Sequence, residues 1–297
     1  MAIRQIQPAR SALNGTFRAP SSKSVTHRVL AAAALAAGRS RLIHPLESAD
    51  TRVTLAGIQG LGVDCGTGPD GWRVEGIPQG LLPGGGEIHL GESGTSMRFL
   101  AAMASLCREP VRFTGEGRLP DRPMAELLAV LEDLGAAVTG PGDGRALPLT
   151  VGAGPEPLMG GAVQVEAGRS SQFASALLLI GSRLQGGLEL GLTADAVSVP
   201  YVSMTAEVLS RFGAGVERSG PANWSVRSGG YAGRDWTVEG DWSSASYLLA
   251  AAAVAGGSVR VQGLDAGSHQ PDAALLPVLV RCGHQVTIDG DEVRVQG

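Results

Sequence analysis

The stretch Pro20-Ser21-Ser22-Lys23-Ser24-Val25-Thr26-His27-Arg28, running into Val29-Leu30-Ala31, reads as a helix opened by small hydroxyl residues and continued by an apolar face. It has three counterparts. Ser93-Gly94-Thr95 leads into Phe99-Leu100-Ala101, Ser170-Ser171 into Ala176-Leu177-Leu178, and Ser243-Ser244 into Leu248-Leu249-Ala250. A strand-like stretch follows each: Arg41-Leu42-Ile43, Val111-Arg112-Phe113, Leu188-Glu189-Leu190 and Val259-Arg260-Val261. A second helix then closes on Gly62, Gly135, Gly213 and Gly283, which stand 73, 78 and 70 residues apart. Met124, Leu127, Leu128 and Leu131 show the helical spacing of these second helices, and a glycine just beyond suits a left-handed C-cap. Paired strands follow, as in Val63–Cys65 with Trp72–Val74, around turns such as Gly68-Pro69-Asp70-Gly71 and Asp289-Gly290-Asp291. Helix, strand, helix and hairpin at this rhythm predict an α/β (α+β) repeat architecture, not a solenoid of short units.

Size and composition narrow the function. A chain of 297 residues, 43% apolar and 18% charged, can bury an ample core. Its 44 glycines suit many tight turns. A net charge of −4 argues against general nucleic-acid affinity, so any anion site is a local basic cluster. Cys65, Cys107 and Cys282 have neither paired nor metal-type spacing and read as small core residues of a reduced compartment. Met1–Gln5 lacks the apolar centre of a signal peptide, and Val29–Ala37 and Leu248–Ala255 are too short to span a membrane. The expected location is the cytoplasm.

A helix N-terminus exposes unpaired N–H groups and the positive end of the helix dipole, so several such ends in one cleft bind anions, phosphate above all. In the first opening, Lys23 supplies a point charge and Arg28 a bidentate clamp, with Ser24 between them; an ordinary capped helix with surface cations fits the spacing equally. In Leu90-Gly91-Glu92-Ser93-Gly94-Thr95-Ser96-Met97-Arg98, Gly94 allows close approach of backbone to ligand, as a plain structural turn also does. In Gly117-Arg118-Leu119-Pro120-Asp121-Arg122-Pro123, Pro123 pushes Arg122 into extended backbone at a helix mouth. Either an anionic ligand or a salt bridge to Asp121 or Glu126 would employ that arginine. Ser170, Ser171 and Gln172 offer hydrogen bonds to a hydroxylated or phosphorylated ligand, and Ser198-Val199-Pro200-Tyr201 occupies a matching junction. The five histidines show no metal-like spacing, and Trp72 and Trp224 read as packing residues.

Taken together, from Asn14 to about Val286, these motifs resemble the 5-enolpyruvylshikimate-3-phosphate synthase family: Pro-x-Ser-Lys-Ser-Val-x-x-Arg, Gly-Thr-x-Met-Arg, Gly-x-x-Arg-x-x-x-Arg-Pro, Ser-Ser-Gln-Phe, Ser-x-Pro-Tyr, and Val238–Tyr247. The resemblance implies the enolpyruvyl transferase fold: two domains, each of three βαβαββ units. It implies transfer of the enolpyruvyl group of phosphoenolpyruvate to the 5-hydroxyl of shikimate 3-phosphate with release of phosphate, in the shikimate pathway to chorismate and the aromatic amino acids. No metal or organic cofactor is implied. The partners are those two small molecules, with no nucleic acid or membrane, and the full-length form would be a monomer. Carried over by motif, Lys23 would be catalytic and contact both substrates. Ser24, Arg28, Ser170, Ser171 and Ser198 would hold shikimate 3-phosphate; Gly94, Arg122 and Gln172 would hold phosphoenolpyruvate; Tyr201 and Asp50 would line the site.

The family pattern departs at Glu92, where Asn is usual, and at Pro271, where Gly is usual. The family chain also runs well over a hundred residues further, through the Asp regarded as the main acid/base, a Lys-Glu-Thr-Asp-Arg segment and later cations. On that footing residues 20–234 form a complete second domain, residues 1–19 with 235–297 form an incomplete first domain, and the isolated chain turns over weakly or not at all. The same-fold rival, UDP-N-acetylglucosamine enolpyruvyl transferase, would have Lys-Asn in place of Lys23-Ser24 and a cysteine within Gly117–Pro123, and neither is present. A non-catalytic shikimate 3-phosphate-binding fragment is the rival from another class.

Overall fold

The computed structural model describes residues 11–78, 80–193 and 198–297; the Met1–Gln5 stretch lies outside them. Its elements repeat as expected. The first set is β1 (Leu13–Arg18), α1 (Lys23–Leu35), β2 (Gly38–Ile43), α2 (Ala49–Gly60), β3 (Asp64–Gly68) and β4 (Gly71–Gly76). Next come β5 (Leu82–Gly84), β6 (Glu87–His89), α3 (Gly94–Ala104), β7 (Cys107–Glu109), β8 (Val111–Thr114), α4 (Ala125–Asp133), β9 (Ala136–Thr139) and β10 (Leu149–Ala153). The third set is β11 (Met159–Val165), α5 (Gln172–Gly181), β12 (Gln185–Leu192), α6 (Val199–Arg211), β13 (Val216–Arg218) and β14 (Asn223–Val226). The fourth is β15 (Asp235–Thr237), α7 (Trp242–Ala255), β16 (Gly257–Gln262), α8 (Leu275–Arg281), β17 (Gln285–Asp289) and β18 (Glu292–Gln296).

Four sheets share one plan. An entering strand lies parallel to the strand after the first helix, and a hairpin continues antiparallel. The orders are β15-β2-β4-β3, β6-β8-β10-β9, β11-β12-β14-β13 and β1-β16-β18-β17; β5 and β7 form a separate pair. Two of the entering strands come from far away in the sequence. β1 pairs with β16, and β15 pairs with β2, so each completes a sheet far from it in sequence. The chain divides accordingly into two compact units, one holding the residues up to Ser22 with Glu239–Gly297, the other Lys23–Val238.

In the 23–238 unit the first helices α1, α3 and α5 are buried along almost their whole length, which the sequence permits by making them Ala-, Leu- and Phe-rich all round. Gly57 on α2 allows the close approach to α3, since a Cβ there would fall 2.2 Å from Leu100 Cδ1. Trp72 and Trp224 are core residues, 1% and 2% exposed. Arg183, just after α5, donates to the carbonyls of Leu35 at 3.0 Å, Ile77 at 2.9 Å, Pro78 at 3.2 Å and Gly80 at 2.6 Å. One guanidinium thus ties the third repeat to the end of α1 and to the linker after β4.

The helix-end expectations hold: Gly62, Gly135, Gly213 and Gly283 have φ of 90°, 100°, 93° and 92°, each one residue past a C-cap. The fourth opening differs. α7 starts at Trp242, capped by the Asp241 carboxylate, which accepts from Ser244 N at 2.7 Å. Ser243 and Ser244 therefore lie inside the first turn, because Asp241 is as good a cap and stands two residues before Ser243.

The other unit packs Trp242, Leu249, Val259, Val261, Leu276 and Leu279 into its own core. Pro20–Ser22 runs beside Glu239–Asp241, with Ser22 N bonded to Glu239 O at 2.8 Å and Asp241 N to Pro20 O at 2.7 Å. The buried Gln270 amide bridges them: Oε1 accepts from Ser22 Oγ and Trp242 N, and Nε2 donates to Glu239 Oε1 and Gly240 O. Pro271, the departure noted above, opens a 3-10 turn over Pro271–Ala274. No helix among the described residues is long and apolar enough to cross a membrane.

Candidate functional site

Four helix starts of the 23–238 unit line one cavity of about 470 Å³. α1 presents Lys23, Ser24 and Arg28; α3 presents Gly94 and Thr95; the turn into α5 presents Arg169, Ser170, Ser171 and Gln172; α6 presents Ser198 and Tyr201. Asp50, Glu92 and Arg122 complete the wall. The cavity thus gathers all nine residues singled out in the sequence, Lys23, Ser24, Arg28, Gly94, Arg122, Ser170, Ser171, Gln172 and Ser198, from segments almost 180 residues apart.

The charges differ in how they are held. Lys23 Nζ pairs with Asp50 Oδ2 at 2.9 Å, both half-exposed. Arg122 has the extended backbone that Pro123 imposes, φ −79° and ψ 145°. Its two candidate acids are engaged elsewhere, Asp121 with Arg145 at 3.2 Å and Glu126 with Arg169 at 3.4 Å. Among the described residues Arg122 therefore has no ion pair, and its Nη1 lies 3.1 Å from where a Cβ on Gly94 would sit. Of the two uses the sequence left open for Arg122, the salt bridge to Asp121 or Glu126 is not made. Glu92 has no ion pair among the described residues either, and its carboxylate folds over Gly117, whose missing side chain leaves the space.

Arg98, which the sequence reading quoted without assigning, is buried behind Gly94. It donates to Gln172 Oε1 at 2.6 Å and to Pro123 O at 3.1 Å, while Gln172 Nε2 donates to Thr95 Oγ1 at 3.0 Å. Burial lowers the Arg98 pKa to about 10, the neighbouring Arg122 pushing the same way and Glu126 opposing, so the guanidinium stays charged at neutral pH. A cation inside the apolar run Met97-Arg98-Phe99 is the signal that marks it. Arg28 is 2% exposed and contacts the faces of Phe99 and Tyr201 at 5.5 and 5.6 Å.

Beneath Asp50 lies a chain of buried polar groups: His27 Nδ1 to Thr54 Oγ1, Thr54 Oγ1 to Ser96 Oγ, and Ser96 Oγ to Ser93 Oγ, each 2.7 Å. Ser96 Oγ also donates to the Asp50 carbonyl at 3.2 Å. Burial pushes His27 down to about 3, so its ring is neutral. Ser198, the N-cap of α6, is left-handed at φ 59° and ψ 38°, a strained conformation for serine, and its hydroxyl makes no cap bond. The cavity wall therefore carries four cations against two carboxylates, at the positive ends of four helices, a combination that favours anions. No group of three His, Cys, Asp or Glu side chains among the described residues could hold a metal ion.

Comparison with known proteins decides the family. The EPSP synthase (3-phosphoshikimate 1-carboxyvinyltransferase) family model matches residues 8–297. The chain belongs to the EPSP synthase family. It is 41% identical over 287 residues to a 3-phosphoshikimate 1-carboxyvinyltransferase of Methanoculleus marisnigri, covering 96% of this chain and 67% of that protein. A protein of the same name from Methanoregula boonei is 40% identical over 292 residues, covering 97% and 68%. The solved EPSP synthase of Acinetobacter baumannii superposes with a TM-score of 0.82 at 26% identity, over 98% of this chain and 66% of that one. The enolpyruvyl transferase NikO of Streptomyces tendae, at TM-score 0.72 and 20% identity, shares the fold. The chain spans about two thirds of the length of the EPSP synthases it matches.

Proposed function

We propose that the cavity at the helix starts of residues 23–238 binds shikimate 3-phosphate beside phosphoenolpyruvate. The reaction is transfer of the enolpyruvyl group to the 5-hydroxyl with release of phosphate, in the cytoplasm. The observation that carries the reading is the convergence on one cavity of four helix N-termini, an unpaired Arg122 and a buried Arg28 with no acid to neutralise it. Each substrate carries one carboxylate and one phosphate, which matches such a wall in sign and number of groups. Ser24, Arg28, Ser170, Ser171 and Ser198 hold the shikimate ring and its anionic groups. Gly94, Arg122 and Gln172 hold phosphoenolpyruvate, with Arg98 fixing the Gln172 amide.

Protonation of the enol methylene and addition of the 5-hydroxyl, which gives up its own proton, form a tetrahedral intermediate; loss of phosphate together with a proton from the new methyl group then restores the enol ether. Charge shifts between the carboxylate, the bridging oxygen and the leaving phosphate, and cations aimed at those atoms before the reaction begins lower the barrier. Lys23, paired with Asp50, contacts both substrates. Titration calorimetry with shikimate 3-phosphate is the test, with Lys23→Ala and Arg28→Ala as comparisons. Micromolar binding lost in both variants is the expected result; folded wild-type protein that does not bind the compound refutes the reading.

A further inference from the structure

Arg28 sits in a water-poor setting without a carboxylate, and the groups that surround it are neutral. Its Nε donates to Thr205 Oγ1 at 2.8 Å. Nη2 donates to Ser175 Oγ at 3.3 Å and to the Tyr201 carbonyl at 3.2 Å, and Nη1 to the Ser24 carbonyl at 2.9 Å. Thr205 and Ser175 are fully buried, and neither touches the cavity. The proton order of the cluster follows from its donors. Thr205 Oγ1, having accepted from Arg28, donates onward to Ser175 Oγ at 2.9 Å or to Tyr201 O at 3.0 Å. Ser175 accepts and passes its own proton to Tyr201 O at 3.4 Å. Every bond runs away from the guanidinium and ends on a carbonyl, so the cluster turns the cation without cancelling its charge. Four of the five guanidinium protons are taken in this way; one Nη1 proton is left.

We propose that Thr205 and Ser175 are positioning residues for Arg28: two buried hydroxyls, from α6 and α5, that fix the rotation of the guanidinium and reserve its charge for the anionic substrate. The inference rests on the binding role given above to Arg28. A carboxylate in place of either hydroxyl would anchor the side chain equally well but would neutralise it, and a hydrocarbon would leave buried N–H groups unpaired. A neutral hydroxyl satisfies the donors and keeps the field.

Calorimetry of shikimate 3-phosphate binding to the full chain, with folding checked by urea denaturation, distinguishes the outcomes. Thr205→Val keeps shape and removes the acceptor; binding about tenfold weaker is expected. Thr205→Ser restores it to within about threefold, and Ser175→Ala weakens it by about the same threefold margin or more. Unchanged binding in folded Thr205→Val, or equal losses in Thr205→Val and Thr205→Ser, overturns the proposal. Should Thr205→Val fail to fold, Ser175→Ala decides: weaker binding supports the proposal and unchanged binding overturns it. A wild-type protein that does not bind shikimate 3-phosphate refutes the proposed function instead, which keeps the two failures apart.

Discussion

Replacing His27 with asparagine should change how stability depends on pH, and the structure gives the size of the change. The ring is 1% exposed, with Nδ1 bonded to Thr54 and Nε2 buried without a partner. Burial is the main cause of its fall from the ordinary 6.5 to about 3; Asp50 opposes the shift, and Arg28 and Lys23 add to it. Between those two values the unfolded chain binds a proton that the folded chain refuses. The neutral ring's contribution is therefore complete above pH 6.5 and is lost as pH falls toward 3. From pH 7 to pH 5 the linkage is worth about 2 kcal/mol of unfolding free energy. No discount for solvent screening applies to a ring so fully enclosed. Urea denaturation of wild type and His27→Asn at pH 7 and pH 5 gives the four values needed, and carboxylates common to both proteins cancel in the double difference. Wild type should lose about 2 kcal/mol more than the variant over this interval. Parallel losses would show that the ring is hydrated or charged in the folded state, contrary to the enclosed network described above.

Arg183→Met keeps the aliphatic stem and strips four carbonyls of their donor; about 2–4 kcal/mol of stability should go, measured by urea denaturation, and a loss below about 1 kcal/mol would contradict the clamp. Gly94→Ala brings a methyl to 3.1 Å from Arg122 Nη1 and 3.2 Å from Arg98 Nη1, flexible ends that can shift. Phosphoenolpyruvate binding in the presence of shikimate 3-phosphate should weaken while shikimate 3-phosphate affinity and the melting temperature hold. Glu92→Gln removes an unpaired carboxylate from a cavity built for anions, and phosphoenolpyruvate should bind about threefold to tenfold more tightly, less so in high salt; unchanged affinity at low salt counts against an electrostatic role.

The repeats were legible because each boundary is set by local chemistry. A glycine past a helix end takes a φ near 90° in all four copies, and the hairpin turns carry Gly, Pro, Asn or Asp. Asp241 shows the limit of that reading: two serines looked like the cap, yet a carboxylate two residues before the first of them takes the bond. Local chemistry does not specify the exchange of β1 and β15, since six extended residues in one and three in the other fit an edge without saying which of several similar sheets supplies it. At the site, the residues gathered at helix starts could be named from the sequence. Thr205 and Ser175 could not, because their importance lies in where α6 and α5 bring them, side by side behind the cavity wall. Arg122 is the intermediate case. Its extended backbone followed from Pro123, but its freedom from an ion pair depended on Arg145 and Arg169 claiming Asp121 and Glu126.

The exchanged strands also dictate an order of events on the ribosome. β2 emerges early, and the strand that flanks it, β15, appears only after nearly two hundred further residues have been translated. Through that interval the β2 edge stands open, and the charged side chains of Arg39 and Arg41 along it discourage pairing with other nascent chains. β1 waits longer still, until residues 257–262 are made. Translation thus closes the inserted unit first and the unit that encloses it last, so a pause or stall beyond Val238 leaves the helix-start cavity assembled while β1 is still unpaired.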